Sequence, residues 1–177
     1  YRTVLIGTQE WMADNLKVTH YRTGDFIANI TDNTQWSNTI LSGAYCAYNN
    51  DAANATKYGY LYNYYTVADS KGVCPSGWHV PSSAEWTTLI TYLGGADVAG
   101  YKLKQTGGGI TADNSSGFSG VMSGYRFKDG KFYNLNNDGE YGSVSVKDSY
   151  YVMGTTLNSL ESIIYISDFG KTDGLAI

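Results

Sequence analysis

Trp86, Leu89, Ile90 and Leu93 recur at the i, i+3, i+4, i+7 spacing that sets apolar side chains along one stripe of an α-helix. Directly ahead of them, Ser82-Ser83-Ala84-Glu85 has the form of a capping box. In that motif the Ser82 hydroxyl accepts from the Glu85 amide, and the Glu85 carboxylate reaches back to the amide of Ser82. Gly94-Gly95 follows and supplies a left-handed stop. The pattern predicts a capped helix near 83–93, and a second short helix is expected over 98–104. Earlier in the chain, Thr3-Val4-Leu5-Ile6 is β-branched and apolar and halts at Gly7, which predicts a strand. Residues 9–18, carrying Trp11, Met12, Leu16 and Val18, predict a second strand bent at Asp14-Asn15. A turn is expected over 21–25, and Asp32 is placed to cap a helical turn through Trp36. Residues 45–51 read as a strand ending in an Asn-Asn-Asp turn, and the tyrosine-dense stretch 58–67 is expected to cross the core.

Beyond a polar, Gly-rich loop expected over 106–116, the pattern turns to β. Residues 123–127, Asp129-Gly130 and residues 132–135 read as a hairpin. From Gly142 the chain alternates, with Val144 and Val146 pointing one way and Ser143, Ser145 and Lys147 the other. Residues 150–157, 162–167 and 175–177 are further strand candidates. Helices thus occupy the first two thirds and antiparallel strands the last third. The expected class is α+β, as one domain over 1–177.

Composition adds a surface character. The 177 residues include 17 Tyr and 21 Gly but only 2 Pro, and 16% are charged. Tyrosine brings large amphipathic area at low ordering cost, and it is also favoured in half-buried strands. The net charge of −4 with no Lys/Arg cluster excludes a nucleic-acid surface, which needs cations to displace counterions. No apolar run is long enough to span a bilayer. Two cysteines, Cys46 and Cys74, admit a single pairing, and two buried thiols are the alternative.

The candidate chemistry is sparse. The two histidines, His20 and His79, stand far apart and outside any metal-ligand spacing. Cys74 has no base placed beside it by a motif. The run 134–139 has an EF-hand flavour, but position one is Asn134 and position twelve is Ser145, so a turn is the better reading. No cofactor is expected, and the chain is read as not an enzyme. The aromatic and small polar residues of the last third form the candidate ligand-binding face: Tyr141, Ser143, Ser145, Lys147, Tyr150, Tyr151, Asn158, Tyr165 and Asp168.

Several motifs in fixed order carry a resemblance. They are Val4-Leu5-Ile6-Gly7 with Gln9-Glu10-Trp11-Met12-Ala13 and Asn15-Leu16-Lys17-Val18, then Gly43-Ala44-Tyr45-Cys46 and Tyr58-Gly59. Cys74-Pro75-Ser76-Gly77-Trp78-His79-Val80-Pro81-Ser82 with Glu85-Trp86 follows, and Gly117-Phe118-Ser119 and Gly124-Tyr125-Arg126 close the series. The chain resembles the Fibrobacter succinogenes major paralogous domain family. The resemblance implies a C-type-lectin-like fold, related to formylglycine-generating-enzyme-type domains. It also implies residence on secreted or surface proteins, often lipoproteins, of Bacteroidetes-type bacteria, anchored through an N-terminal segment outside this sequence. Where family members carry a Trp-rich stretch this chain has Tyr141-Gly142-Ser143-Val144, and it stops at Ile177, short of the family's final cysteine. That cysteine is an alternative partner for Cys46 or Cys74. Some proteins of this fold are diversified by retroelements, and the composition of 141–173 suits either a diversified segment or ordinary surface strands. The expected function is calcium-independent binding of a protein or glycan at the cell surface. A structural module of a larger lipoprotein and a relative of the formylglycine-generating enzymes are the alternatives. The only prolines, Pro75 and Pro81, exclude the Glu-Pro-Asn sugar loop of calcium-dependent lectins.

Overall fold

The computed structural model describes residues 1–39, 41–109 and 112–177. Strands β1 (Thr3–Ile6) and β2 (Gln9–Met12) form an antiparallel hairpin in which Val4 faces Trp11. Its turn passes through Gly7 at φ 63°, and a Cβ there would meet the Tyr92 ring at 2.9 Å. The second strand is shorter than the expected 9–18. At Asp14 the chain leaves the ladder, because the carboxylate is claimed by Arg2, which donates from its backbone amide and from its guanidinium. Leu16 then donates its amide to Ile177 instead of to a strand neighbour.

Three short strands form a second sheet: β3 (Ala28–Asn29), β4 (Ala44–Cys46) and β5 (Leu61–Tyr62), with β4 between the others. Helix α1 (Asn33–Ser37) starts at Asp32, whose side chain accepts from the Gln35 amide, as the sequence predicts. The strand expected over 45–51 ends at Cys46 and becomes a tight 3-10 turn, with Asn49 and Asn50 both at positive φ. Helix α2 (Ala52–Tyr58), capped by Asp51, lies where the sequence predicts no element. The tyrosine-rich stretch splits into β5 and helix α3 (Tyr64–Val67), which is capped by Asn63.

The helix expected near 83–93 is α4 (Ser83–Tyr92), with both halves of its capping box formed. Its stop is left-handed, at φ 103° for Gly94 and 98° for Gly95. Helix α5 (Ala96–Leu103) begins two residues before the expected position. Of the loop expected over 106–116, residues 110 and 111 lie outside the described residues. Strands β6 (Tyr125–Arg126) and β7 (Phe132–Tyr133) make the expected hairpin. Of the run 134–139, residues 135–137 form a turn and Asp138 already starts a strand; the Asn134 side chain closes it by donating to the Asp138 carboxylate.

The chain finishes in a three-stranded antiparallel sheet of β8 (Asp138–Val146), β9 (Tyr151–Asn158) and β10 (Ile164–Gly170), with β9 in the centre. Leu157 opposes Gly139 on one side and Ile164 on the other. Helices and antiparallel strands thus coexist in one α+β structure. Residues 175–177 make bridges rather than a strand. Leu175 exchanges hydrogen bonds with Tyr62, and Ala176 donates to Glu140 and accepts from Gly142, so the C-terminal tail ties β5 to β8.

The main core joins Trp11, Trp86, Leu89, Leu103, Phe118, Tyr141, Leu157 and Ile164. Cys46 and Cys74 are buried free thiols in two different apolar clusters. The pairing considered from the sequence is therefore not made. Among the described residues no helix is long and apolar enough to cross a membrane.

Candidate functional site

The nine residues proposed from the sequence do not form one face. Tyr141 is 3% exposed and belongs to the core, packed against Trp86 and Phe118. Its hydroxyl donates to the Val121 carbonyl at 3.0 Å and accepts from the Val121 amide at 2.8 Å. Ser143 is also buried, and its hydroxyl donates to the Met153 carbonyl. Ser145 is half-buried and accepts from the Ser83 amide at the start of α4. Asn158 is held by the Asp138 carboxylate and the Leu160 amide. The alternation from Gly142 exists, but its sense is inverted relative to hydropathy. Ser143 points inward, whereas Val144 and Val146 are 40% and 50% exposed. Ser143 follows Tyr141 onto the inward side by ordinary strand alternation, and the register with β9 shifts between Gly142 and Val146. There β8 leaves β9 and sends the Val144 amide to the Pro81 carbonyl.

Lys147, Tyr150, Tyr151, Tyr165 and Asp168 are exposed. Lys147 pairs with Asp168. Tyr165 faces Thr156 across the ladder, whereas Asp168 faces Met153 and Tyr151 faces Gly170. Successive residues of a strand alternate sides, so Tyr165 lies on the opposite face of the sheet from Asp168 and Tyr151. Its hydroxyl is taken by Glu161.

A different place brings chemistry together. A cleft of about 430 Å³ opens between β2, the segment leading into α4, and β8. Strand β2 contributes Gln9, Glu10, Trp11 and Met12, and the chain just beyond it adds Asp14, Asn15 and Leu16. The approach to α4 contributes Cys74, Trp78, His79 and Pro81, and its first turn Glu85 and Trp86. Phe118, Tyr141 and Ile177 complete the wall. Trp11 and Trp86 lie 4.8 Å apart between ring centroids, and Phe118 meets both edge-on at 5.9 and 5.8 Å. These are favourable tilted and T-shaped geometries.

The rim is acidic and ordered. His79 Nε2 and Glu85 Oε1 are 2.8 Å apart, while Glu85 Oε2 accepts from the amide and hydroxyl of Ser82. Burial pushes the Glu85 carboxyl up, but the hydrogen bonds from Ser82 and His79 outweigh it and hold it below its ordinary range. The capping box thus starts the helix and orients the rim with the same carboxylate. Gln9 donates its amide nitrogen to the Glu85 carbonyl at 3.2 Å, joining β2 to α4. Burial pushes the Cys74 thiol up to about 11, with Arg22 opposing only weakly. A thiol so raised is almost wholly protonated at neutral pH and is a poor nucleophile.

Among the described residues, five buried polar side-chain atoms have no hydrogen-bond partner, and three belong to this cleft: Gln9 Oε1, Trp11 Nε1 and Trp86 Nε1. Each unmet group costs about 1–3 kcal/mol, so a hydrogen-bond partner gained at these atoms would be stabilising. No three His, Cys, Asp or Glu side chains among the described residues gather as metal ligands. The sequence singles out Trp11, Trp78, His79, Glu85, Trp86 and Phe118 as element-forming residues or carriers of the resemblance, and none of them as part of a binding site. The signal is their type: three tryptophans and a phenylalanine set within short polar motifs, in three segments far apart along the chain.

No curated protein and no solved structure matches the chain. Residues 4–162 match the Fibrobacter succinogenes major domain, a span holding every cleft residue but Ile177, and the chain belongs to that family.

Proposed function

We propose that this chain is a non-catalytic ligand-binding domain whose seat is the aromatic cleft between β2, α4 and β8. The observation that carries the reading is the gathering of three unpartnered buried polar atoms among the residues that line a cleft with an aromatic floor. Its volume falls in the range of about 300–1,000 Å³ typical of small-ligand sites, and an apolar lining with a few fixed polar groups is their usual build. The raised Cys74 thiol and the engagement of His79 with Glu85 support binding over nucleophilic chemistry. The C-type-lectin-like fold, the cell-surface location, lipid anchoring and calcium independence belong to this proposal and rest on the family resemblance and the two proline positions. A structural role within a larger surface protein is the competing reading, and the unpartnered atoms favour binding over it.

A second contact surface has one observation in its favour. Val144, Val146, Tyr150 and Tyr151, at the β8–β9 end, are all at least 40% exposed. Amide chemical-shift mapping with a fragment library separates the two. Shifts are expected at residues 9–16, 77–86 and 118, and Trp78→Ala should remove them while the rest of the spectrum keeps its dispersion. The double variant Tyr150→Ala/Tyr151→Ala should bind like the parent and melt within about a degree of it, as expected for substitutions at exposed positions. Shifts confined to 144–151, or loss of binding in the tyrosine variant, would move the site to the strand end.

A further inference from the structure

We infer that the cleft takes an uncharged saccharide, held by ring stacking and hydroxyl hydrogen bonds without a metal ion. The inference rests on the cleft being the binding seat. Charge narrows the ligand first. The lining carries three carboxylates, Glu10, Asp14 and Glu85, and neither a lysine nor an arginine. Asp14 is paired with Arg2 and Glu85 with His79, so no cation in the lining is left to meet an anion. A phosphate, sulfate or uronate would face like charge.

The unpartnered atoms narrow it further. Trp11 Nε1 and Trp86 Nε1 are donors, while Gln9 Oε1 is an acceptor. A quaternary or alkylated ammonium suits aromatic faces, but it has no lone pair to offer the indole N–H groups. An apolar ligand satisfies none of the three atoms. A hydroxyl both accepts and donates, and neighbouring ring hydroxyls can meet both kinds of atom at once. Rim carboxylates then accept from further hydroxyls in charge-assisted bonds. The part-exposed ring of Trp78 matches the C–H side of a pyranose ring, over a floor of buried Trp11, Trp86 and Phe118. The volume suits a short oligosaccharide.

All three atoms are closed off from solvent, but Gln9 is half-buried and can turn its amide to a sugar hydroxyl, whereas the two indoles are held in the core beneath the cleft. Binding should therefore change the surroundings of the indoles, and three of the four tryptophans line the cleft.

The test uses the intact 177-residue chain on an array of uncharged and acidic glycans, with chelator present. Hits are followed by tryptophan fluorescence and amide shifts. Cellobiose, mannobiose, xylobiose and diacetylchitobiose serve as uncharged probes. Digalacturonate, choline and a tripeptide amide serve as anionic, cationic and uncharged non-sugar probes. Uncharged glycans should bind with a fluorescence change, and chelator should leave the affinity unaltered. Gln9→Leu should weaken binding roughly tenfold through the lost acceptor. Glu10→Lys, at an exposed position, should lift the discrimination against digalacturonate. Binding of choline, digalacturonate or the peptide amide at the cleft with no uncharged glycan bound would overturn the saccharide assignment and leave the cleft reading standing. If neither the array nor the fragment library perturbs the cleft amides, both fall.

Discussion

Glu140 shows how one side chain can make stability depend on pH. It is 6% exposed on β8, on the face opposite Tyr141, and its carboxylate accepts from the Thr156 hydroxyl at 2.6 Å. Burial pushes its carboxyl up to about 7. Asp138 and Asp173 add to the rise, and the Thr156 hydrogen bond resists it. The unfolded chain releases the same proton near 4.5. The folded state therefore holds the proton more tightly. The stabilising contribution is fully present below pH 4.5 and is lost as pH rises through about 7. Asp173, raised by burial to about 6, acts in the same direction and forms a common background. Glu140→Gln keeps the shape and an acceptor for Thr156 but has no proton to lose. The variant should match the parent near pH 4.5 and exceed it above pH 7 by up to on the order of 3 kcal/mol. Thermal unfolding across pH 4–8 checks this, and a difference between the two proteins that stays constant with pH would refute the titration account.

Helix α4 is the element on which fold and site depend together. Its cap satisfies the free amides at the helix start, and the same Glu85 carboxylate fixes His79 at the cleft rim. Ser82→Ala removes the hydroxyl that accepts from the Glu85 amide and donates to Glu85 Oε2. It should cost about 1 kcal/mol, within the range of about 0.5–2 kcal/mol measured for N-caps. The urea midpoint should fall with an unchanged slope, and the His79 ring resonances should lose their single environment. An unchanged midpoint would mean that the cap is redundant. This helix was legible because its signals are local: a 3.6-residue period, a capping box and a glycine stop lie within fourteen positions. The β6–β7 hairpin and strand β1 were legible from equally local signals, whereas β2 was read too long and its pairing with β1 was not foreseen. Helix α2 was not, because only Ala55 and Tyr58 are buried on it, which is too few to make a period. The inward sense of Ser143 was hidden because hydropathy favours Val144 and Val146 for the core, while β8 there makes its contacts with Pro81 and Ser83, some sixty residues away in the chain. The cleft was illegible as a site because its walls come from residues 8–16, 74–86, 118, 141–142 and 177, and no periodicity announces that those segments meet. Tyrosine count drew attention to the C-terminal strands, yet Tyr141 is a core residue and Tyr165 faces away from Tyr151.

At the scale of the whole molecule, the small sheets are held together by long-range polar ties, and Arg126 makes three of them through its side chain. It is fully buried on β6. Its guanidinium donates to the carbonyls of Gly130, Ile30 and Thr31 and to the side-chain oxygen of Asn33. It stacks 4.4 Å from the Trp36 ring and 4.8 Å from Phe132. Its backbone exchanges hydrogen bonds with Gly174 in the C-terminal tail. One residue thus joins the β6–β7 hairpin, the β3–α1 connection and the tail that links β5 to β8. Its recorded acceptors are all uncharged, so the cation is stabilised by aligned carbonyl dipoles and ring faces. A flat fork with five donors is needed for that geometry, and a lysine ammonium offers three donors on a point charge. Arg126→Lys would keep a buried charge while leaving carbonyls unmet. Arg126→Met would remove the charge and leave the same carbonyls unmet. Both should lose at least about 3 kcal/mol, and lysine should recover nothing over methionine, since a buried charge short of partners is costlier than none. Urea unfolding followed by tryptophan emission reads this directly, because Trp36 sits under the guanidinium. If the lysine variant kept more than half of the lost stability, charge alone would suffice at this position and the fork would be dispensable.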